Sequence, residues 1–212
     1  MSDTPELRTT PGSKSRPNRF ELFEIASEQS GHFTAKQARA SGYGWALLSH
    51  HAKGGQFIRV RWGLYRFRDY PSSTREHVIA AWLAVGKDKA IVSHESALDL
   101  LGLSDIVPNA VHLTVPRSMR GLPSMQGVTV HTSSKPKRPH DVVTRDGVVV
   151  TSATRSILDA AEAGAAPEQI EMAVAQAINR GLVIPSQLQR DSDERGRRVA
   201  DLIAGAIRKA GL

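Results

Sequence analysis

The chain of 212 residues contains no cysteine. Disulfides, thiolate zinc sites and cysteine nucleophiles are thereby excluded. The composition suits a reducing cytosol, and a cytoplasmic location is expected. Aromatic residues make up only 5%, so packed cores are expected to rest on Val, Ile, Leu and Ala. No apolar run approaches the roughly 20 residues that span a bilayer. The opening stretch, 1–17, is polar and lacks the apolar segment of a secretory signal. Catalytic signatures are missing too: there is no P-loop, no Rossmann glycine pattern and no nucleophile elbow. None of the acids has Lys two positions on, which argues against a metal-dependent nuclease of the restriction type. No catalytic residue is assigned, and an enzyme is not expected.

The eight histidines give no metal signature in sequence. His94-Glu95 lacks the second His of a zincin helix, and the adjacent His50 and His51 point to different faces of a helix. No metal ligand and no cofactor is assigned on this pattern. Ser93 and Ser96, which flank His94, read as helix-capping residues rather than as a nucleophile with its base.

What the sequence has is positive charge, unevenly spread. The formal net charge is +7, and a basic excess points first to nucleic acid. Residues 1–75 carry twelve Lys/Arg against six Asp/Glu, whereas 76–212 carry sixteen against fifteen. Nearly all the excess lies in the first third.

Local signals divide the chain similarly. Residues 1–17 form a basic tail, rich in Ser, Thr and Pro and expected to be disordered. Asn18 with Glu21, and Thr34 with Gln37, are capping-box patterns opening two helices. A third helix is predicted over 44–53, ending at Gly54-Gly55. Residues 57–61 and 64–67 then read as two strands around Trp62-Gly63. Three helices and a hairpin outline a winged helix-turn-helix over 18–73. A mixed α/β domain is expected over 74–212, giving an α+β chain. Its predicted elements are helices over 74–85 and 95–101, strands over 110–115, 128–131, 141–144 and 148–150, and three closing helices. Ser152 caps the first of these, Pro167 opens the second, and the third spans 194–209 with Val199, Leu202, Ile203, Ala206 and Ile207 as its buried stripe.

Residues 31–70 hold seven cations and one acid, Asp69. Clustered cations bind phosphates because released counterions drive the affinity. On the third helix Ser49 and His50 face outward and are candidates for reading base edges, with Lys53 placed for phosphate. Trp45 falls between the two faces, as core anchor or DNA contact. On the first strand of the hairpin, Arg59 and Arg61 share a face by period-two geometry. Lys36, Arg39 and Arg66 complete the candidate DNA-binding set. Two further basic loops, Arg117 with Arg120 and Lys135, Lys137 with Arg138, form a possible second anionic-partner surface or ordinary solvated turns.

The stretch Phe33-Thr34-Ala35-Lys36-Gln37-Ala38-Arg39-Ala40-Ser41-Gly42-Tyr43, followed by Phe57-Ile58-Arg59-Val60 and Gly63-Leu64-Tyr65-Arg66, resembles the winged helix of the AbiEi family of type IV antitoxins. The resemblance continues through Val92-Ser93-His94-Glu95-Ser96-Ala97, Val111-His112-Leu113-Thr114-Val115-Pro116 and Val150-Thr151-Ser152 with Arg155 and Asp159. It spans roughly 20–210. One departure is that Gly44-Trp45 stands where family members commonly carry a small polar residue and Arg. The resemblance implies a repressor of its own operon that binds duplex DNA at its promoter, often on inverted repeats. It also implies a functional partner, a toxin of the nucleotidyltransferase type, opposed without a stable complex and largely by the C-terminal part. A membrane partner is not expected. The alternative is a stand-alone winged-helix transcriptional regulator whose C-terminal domain senses a ligand or oligomerises. A nuclease is the third class, disfavoured by the missing motifs.

Overall fold

A computed structural model of the protein describes residues 16–134 and 139–211. Most of the basic tail, and Lys135, Lys137 and Arg138, lie outside the described residues. The chain is an α+β protein of two compact units that meet between Ser72 and Ser73.

In the first unit the two capping signals do what their chemistry requires. Asn18 Oδ1 accepts the Glu21 N–H at 3.1 Å and starts α1 (Arg19–Ser27). Thr34 and Gln37 close a reciprocal box at the start of α2 (Ala35–Ala40), with Gln37 N–H donating to Thr34 Oγ1 at 3.2 Å and Thr34 N–H to Gln37 Oε1 at 2.8 Å. Helix α3 (Trp45–Lys53) has no side-chain cap, because Gly44 offers none. Strands β2 (Phe57–Arg61) and β3 (Leu64–Phe67) form the expected hairpin. A third strand, β1 (His32–Thr34), joins the other side of β3, with Phe33 opposite Tyr65, so the sheet order is β1-β3-β2. At three residues β1 is too short to show a period in sequence.

The expectation of aliphatic cores fails for this unit. Ten of the eleven aromatic residues fall within 20–70, leaving only Trp82 beyond. Phe33 is fully buried at the centre, with ring centroids 4.9 Å from Phe57 and 5.2 Å from Phe67. Tyr43, Tyr65, Leu22, Ala26 and Leu48 complete the core. A low average content concealed this segregation. A domain this small buries a low fraction of its surface, and aromatic rings bring the most area per residue. Gly31 serves the same packing. It sits at φ +80°, and a Cβ there would lie 2.5 Å from the Tyr70 ring. The ring rests on the bare glycine while the Tyr70 hydroxyl donates to Ser27 O at 3.1 Å.

The second unit is built on a five-stranded sheet. In chain order it contains α4 (Glu76–Val85), β4 (Ile91–Val92), α5 (His94–Leu101), β5 (Val111–Pro116), β6 (Val128–Ser133), β7 (Val142–Arg145) and β8 (Val148–Thr151). Helices α6 (Ala153–Ala163), α7 (Pro167–Asn179), α8 (Pro185–Asp193) and α9 (Arg197–Lys209) follow. The sheet order is β6-β5-β4-β8-β7, with β5–β6 and β4–β8 parallel and the other pairs antiparallel. Asp146 and Gly147, at φ +50° and +76°, make the tight β7–β8 turn. Here the core is aliphatic as expected, with Leu98, Leu113, Val150, Ile157, Ile170 and Ile203 fully buried. Along α9 the buried positions Val199, Ile203 and Ala206 fall on the expected stripe.

Four helices close the chain where three were expected. Helix α8 is polar throughout apart from Leu188, which carries no apolar period. Two expected side-chain caps are not made. Ser93 and Ser152 make no side-chain capping bond. Asp159 on α6 gathers a partly buried ion cluster, 3.1 Å from Arg155 Nε and 2.9 Å from an Arg195 guanidinium nitrogen. Among the described residues no helix is long and apolar enough to cross a membrane.

Phe33→Ala removes the ring at the centre of the first unit and should cost about 3–5 kcal/mol. For so small a unit this is most of the stability. Urea titration should show the first unit unfolding far below the second. A shift under about 1 kcal/mol, the ordinary range for point substitutions, would contradict the central role assigned to this ring.

Candidate nucleic-acid interface and a histidine cluster

Helix α3 buries Leu48 against the first-unit core and leaves Trp45, Ser49, His50 and Lys53 exposed. At 100° per residue Trp45, Ser49 and Lys53 share one face, with His50 beside them. Lys36 and Arg39 are exposed on α2, and the Arg39 guanidinium lies 5.8 Å from the centre of the Trp45 ring. Trp45 is 56% exposed, so the choice between core anchor and surface residue falls to the surface. At the tip of the β2–β3 hairpin Trp62 is 87% exposed. In sequence Trp62 marks the turn, and an aromatic next to a turn glycine in a basic hairpin is also the signal of an exposed ring.

Two candidate roles require correction. Arg66 is buried, 6% exposed, and donates to Tyr70 O at 2.7 Å, Phe67 O at 3.3 Å and Ser72 Oγ at 3.2 Å. It closes the C-terminal end of the unit from inside and is unavailable to a ligand. Its position in a strand whose four residues are all buried could not be read from a charge count. Arg59 and Arg61 do not follow a plain period-two pattern either. The β2–β3 register shifts between them, Arg59 pairing with Tyr65 and Arg61 with Leu64. Arg59 is exposed and Arg61 half-buried, as a bulge that turns the strand would produce. In the second unit Arg117 and Arg120 are exposed.

The structure assembles a second cluster that sequence spacing hid. His94 opens α5, while His112 and His131 sit on the adjacent parallel strands β5 and β6. The register pairs His112 with Thr129 and Thr114 with His131, so all four project from one face of the sheet. His131 Nε2 lies 3.1 Å from His112 Nδ1, and the His94 ring stacks on His131 with centroids 3.6 Å apart. His94 Nδ1 meets Ser93 Oγ at 2.8 Å, and Ser93 Oγ accepts from Thr114 Oγ1 at 2.7 Å. Burial pushes the His94 pKa down to about 3, reinforced by His131, His112, Arg155 and Arg195. Burial also lowers His112, against the pull of Glu95, and lowers His131, aided by His112 and opposed by Asp159. The three imidazoles are therefore neutral near pH 7. A cleft of about 480 Å³ opens beside them, lined by His94, His131, Ser133, Glu162 and Arg195 among others.

No family model matches the chain, and no curated protein does. Among solved structures, the Rv2827c protein from Mycobacterium tuberculosis has a similar fold, with a TM-score of 0.60 over 90% of this chain and 75% of that one. The two sequences are 14% identical, so the likeness concerns fold alone.

The two arginines of the hairpin should separate experimentally. Arg66→Met should destabilise the first unit by about 2–3 kcal/mol, since it deserts buried carbonyl acceptors held by a charged donor. Arg59→Ala should stay within about 0.5 kcal/mol. Urea unfolding followed by tryptophan fluorescence reads both. Wild-type stability in Arg66→Met would restore it to the candidate surface.

Proposed function

We propose that the protein is a DNA-binding antitoxin whose first unit is a winged helix-turn-helix and whose second unit opposes a nucleotidyltransferase-type toxin. The observation that carries the DNA-binding part is the outward face of α3. It presents Trp45, Ser49, His50 and Lys53, flanked by exposed Lys36 and Arg39 on α2 and Arg59 on the hairpin. A helix with one buried and one polar, basic face, followed by a basic hairpin, is suited to lie in a major groove with the hairpin on the backbone. In this reading Ser49 and His50 read base edges. Lys36, Arg39, Lys53 and Arg59 hold phosphates, and Trp62 presses on the groove wall. Repression of the protein's own operon and the toxin partner rest on the resemblance to AbiEi antitoxins.

The second reading, a stand-alone regulator with a sensing domain, draws on a specific feature of the second unit. A cleft of about 450 Å³ is lined by Ile91, Val115 and Val142 together with Lys89, Arg117 and Arg155 and two carboxylates, Asp88 and Asp141. Apolar walls with a few polar and charged groups of both signs suit a small polar ligand. An adjacent gene for a nucleotidyltransferase-like protein favours the antitoxin.

Binding to the protein's own upstream DNA should weaken steeply with salt, each neutralised phosphate adding about −0.9 to the slope of log K against log salt. Affinity indifferent to salt would remove the interface. In gel-shift titrations Arg59→Ala should weaken operator and scrambled DNA alike, because phosphates carry no direct sequence information. Substituting Ser49 or His50 should instead change preference at one base pair by roughly 1–3 kcal/mol. If Arg59→Ala lost only operator binding, hairpin and helix would exchange roles.

The two activities should also separate in the full-length chain. Lys53→Ala combined with Arg59→Ala should abolish repression of a promoter reporter yet still rescue cells that express the partner toxin. Loss of rescue along with repression would move the antitoxic activity into the first unit.

A further inference from the structure

We propose that His94, His112 and His131 form a binding site for one divalent first-row transition-metal ion, zinc foremost, on the half-buried face of the β5–β6 strand pair that carries His112 and His131. One nitrogen from each ring lies within 4.8 Å of the other two. In a tetrahedral zinc site, with Zn–N bonds of about 2.0–2.1 Å, ligand nitrogens stand roughly 3.3 Å apart. The His131 Nε2 to His112 Nδ1 separation of 3.1 Å is already close to that edge. Bringing in the third nitrogen takes a movement on the order of 1.5 Å, within reach of the broad χ2 torsion of histidine. That rotation opens the His94–His131 stack.

The surroundings of two of the three rings, His94 and His112, favour this role. A ligating imidazole usually has its other nitrogen held by a carboxylate or hydroxyl, which fixes tautomer and ring direction. His94 Nδ1 is held by Ser93 Oγ, itself fixed by Thr114, which leaves Nε2 for the ion. His112 Nε2 faces Glu95 Oε2 at 3.9 Å, which leaves Nδ1. The hydrogen bond between His131 Nε2 and His112 Nδ1 places a proton on one of these two nitrogens, and a tautomeric shift to the other ring nitrogen clears it for coordination. His94 also sits at φ +54°, a left-handed conformation that L-residues avoid and that functional sites tend to retain.

The donor set selects the ion. Three nitrogens and no ligating carboxylate suit zinc, nickel, cobalt or copper, and do not suit magnesium or calcium. Three protein ligands also leave one position of a tetrahedron free. The neighbouring cleft supplies room for water there. The site does not depend on the DNA-binding reading, which concerns the other unit.

The test is a titration of the full-length, chelator-treated protein with Co²⁺, read by the visible d–d bands of tetrahedral cobalt, and with Zn²⁺ by calorimetry. One ion per chain is expected for the wild type and for His77→Ala, which removes an exposed histidine of the same unit. His112→Ala and His131→Ala should bind at least 100-fold more weakly, and Glu95→Gln about tenfold more weakly, as for partners of ligating histidines. His131→Gln keeps a polar side chain at the site. With a wild-type circular dichroism spectrum, it should lose the ion just as His131→Ala does, separating lost ligation from lost fold. Wild-type affinity in His112→Ala or in folded His131→Gln, equal loss in His77→Ala, or absence of tetrahedral cobalt bands from the wild type would each overturn the proposal.

Discussion

The second unit depends on the pleat of β5. Val111, Leu113 and Val115 are buried on one face of this strand and pack into the aliphatic core. Alternation then sends His112 and Thr114 to the opposite face. A slip of one residue would turn the histidine into the aliphatic core and the valines onto the polar face, so the hydrophobic set pins the register. The parallel partner β6 inherits it, with His131 opposite Thr114. On the other side β4 places Ile91 opposite Thr114, and Ser93 N–H donates to His112 O at 3.0 Å. The position of the histidine cluster is thus a by-product of how the core is filled.

The two units solve the burial problem by different means. About fifty residues of the first must close a core around three short helices and three short strands. They do so with rings in edge contact, Phe33, Phe57 and Phe67 forming a mutually touching set. The second unit has many more residues and closes its core with Leu, Ile, Val and Ala, retaining a single tryptophan whose indole N–H donates to Ala90 O at 2.8 Å. Ring packing is directional, so the small unit is held to one arrangement with few residues. The larger unit relies on area instead.

Elements with a strong period or an explicit cap were legible in sequence: the Thr34–Gln37 box, the apolar stripe of α9, and the β2–β3 hairpin. Those lacking both signals were not. β1 and β4 have three and two residues, and α8 has one apolar residue to mark a face. The same limit applied to the sites. His94, His112 and His131 are separated by eighteen residues or more and fall on three elements, so no spacing rule could join them. Reading each histidine as isolated was sound locally, and the sheet register overturned it. Ser93 shows the same conflict. In sequence it is a good helix cap, but its hydroxyl is committed to Thr114 and His94, and α5 begins with a left-handed residue instead.

The treatment of charge makes a complementary point about the first unit. Seven cations lie within forty residues, and the fold sorts them by task. Arg66 is turned inward to satisfy carbonyls at the end of the unit, and Arg68 donates through Nε to Gly55 O behind α3. The backbone of both turns is thereby fixed by guanidinium groups, from inside by Arg66 and from the exposed surface by Arg68. Lys36, Arg39, Lys53 and Arg59 are exposed. A phosphate lattice is recognised by where charges project and how rigidly they are held, since mobile side chains lose rotamer entropy on binding. Arg66 and Arg68 therefore still bear on any nucleic-acid interface: they hold the hairpin and the end of α3 in the positions from which the other cations act.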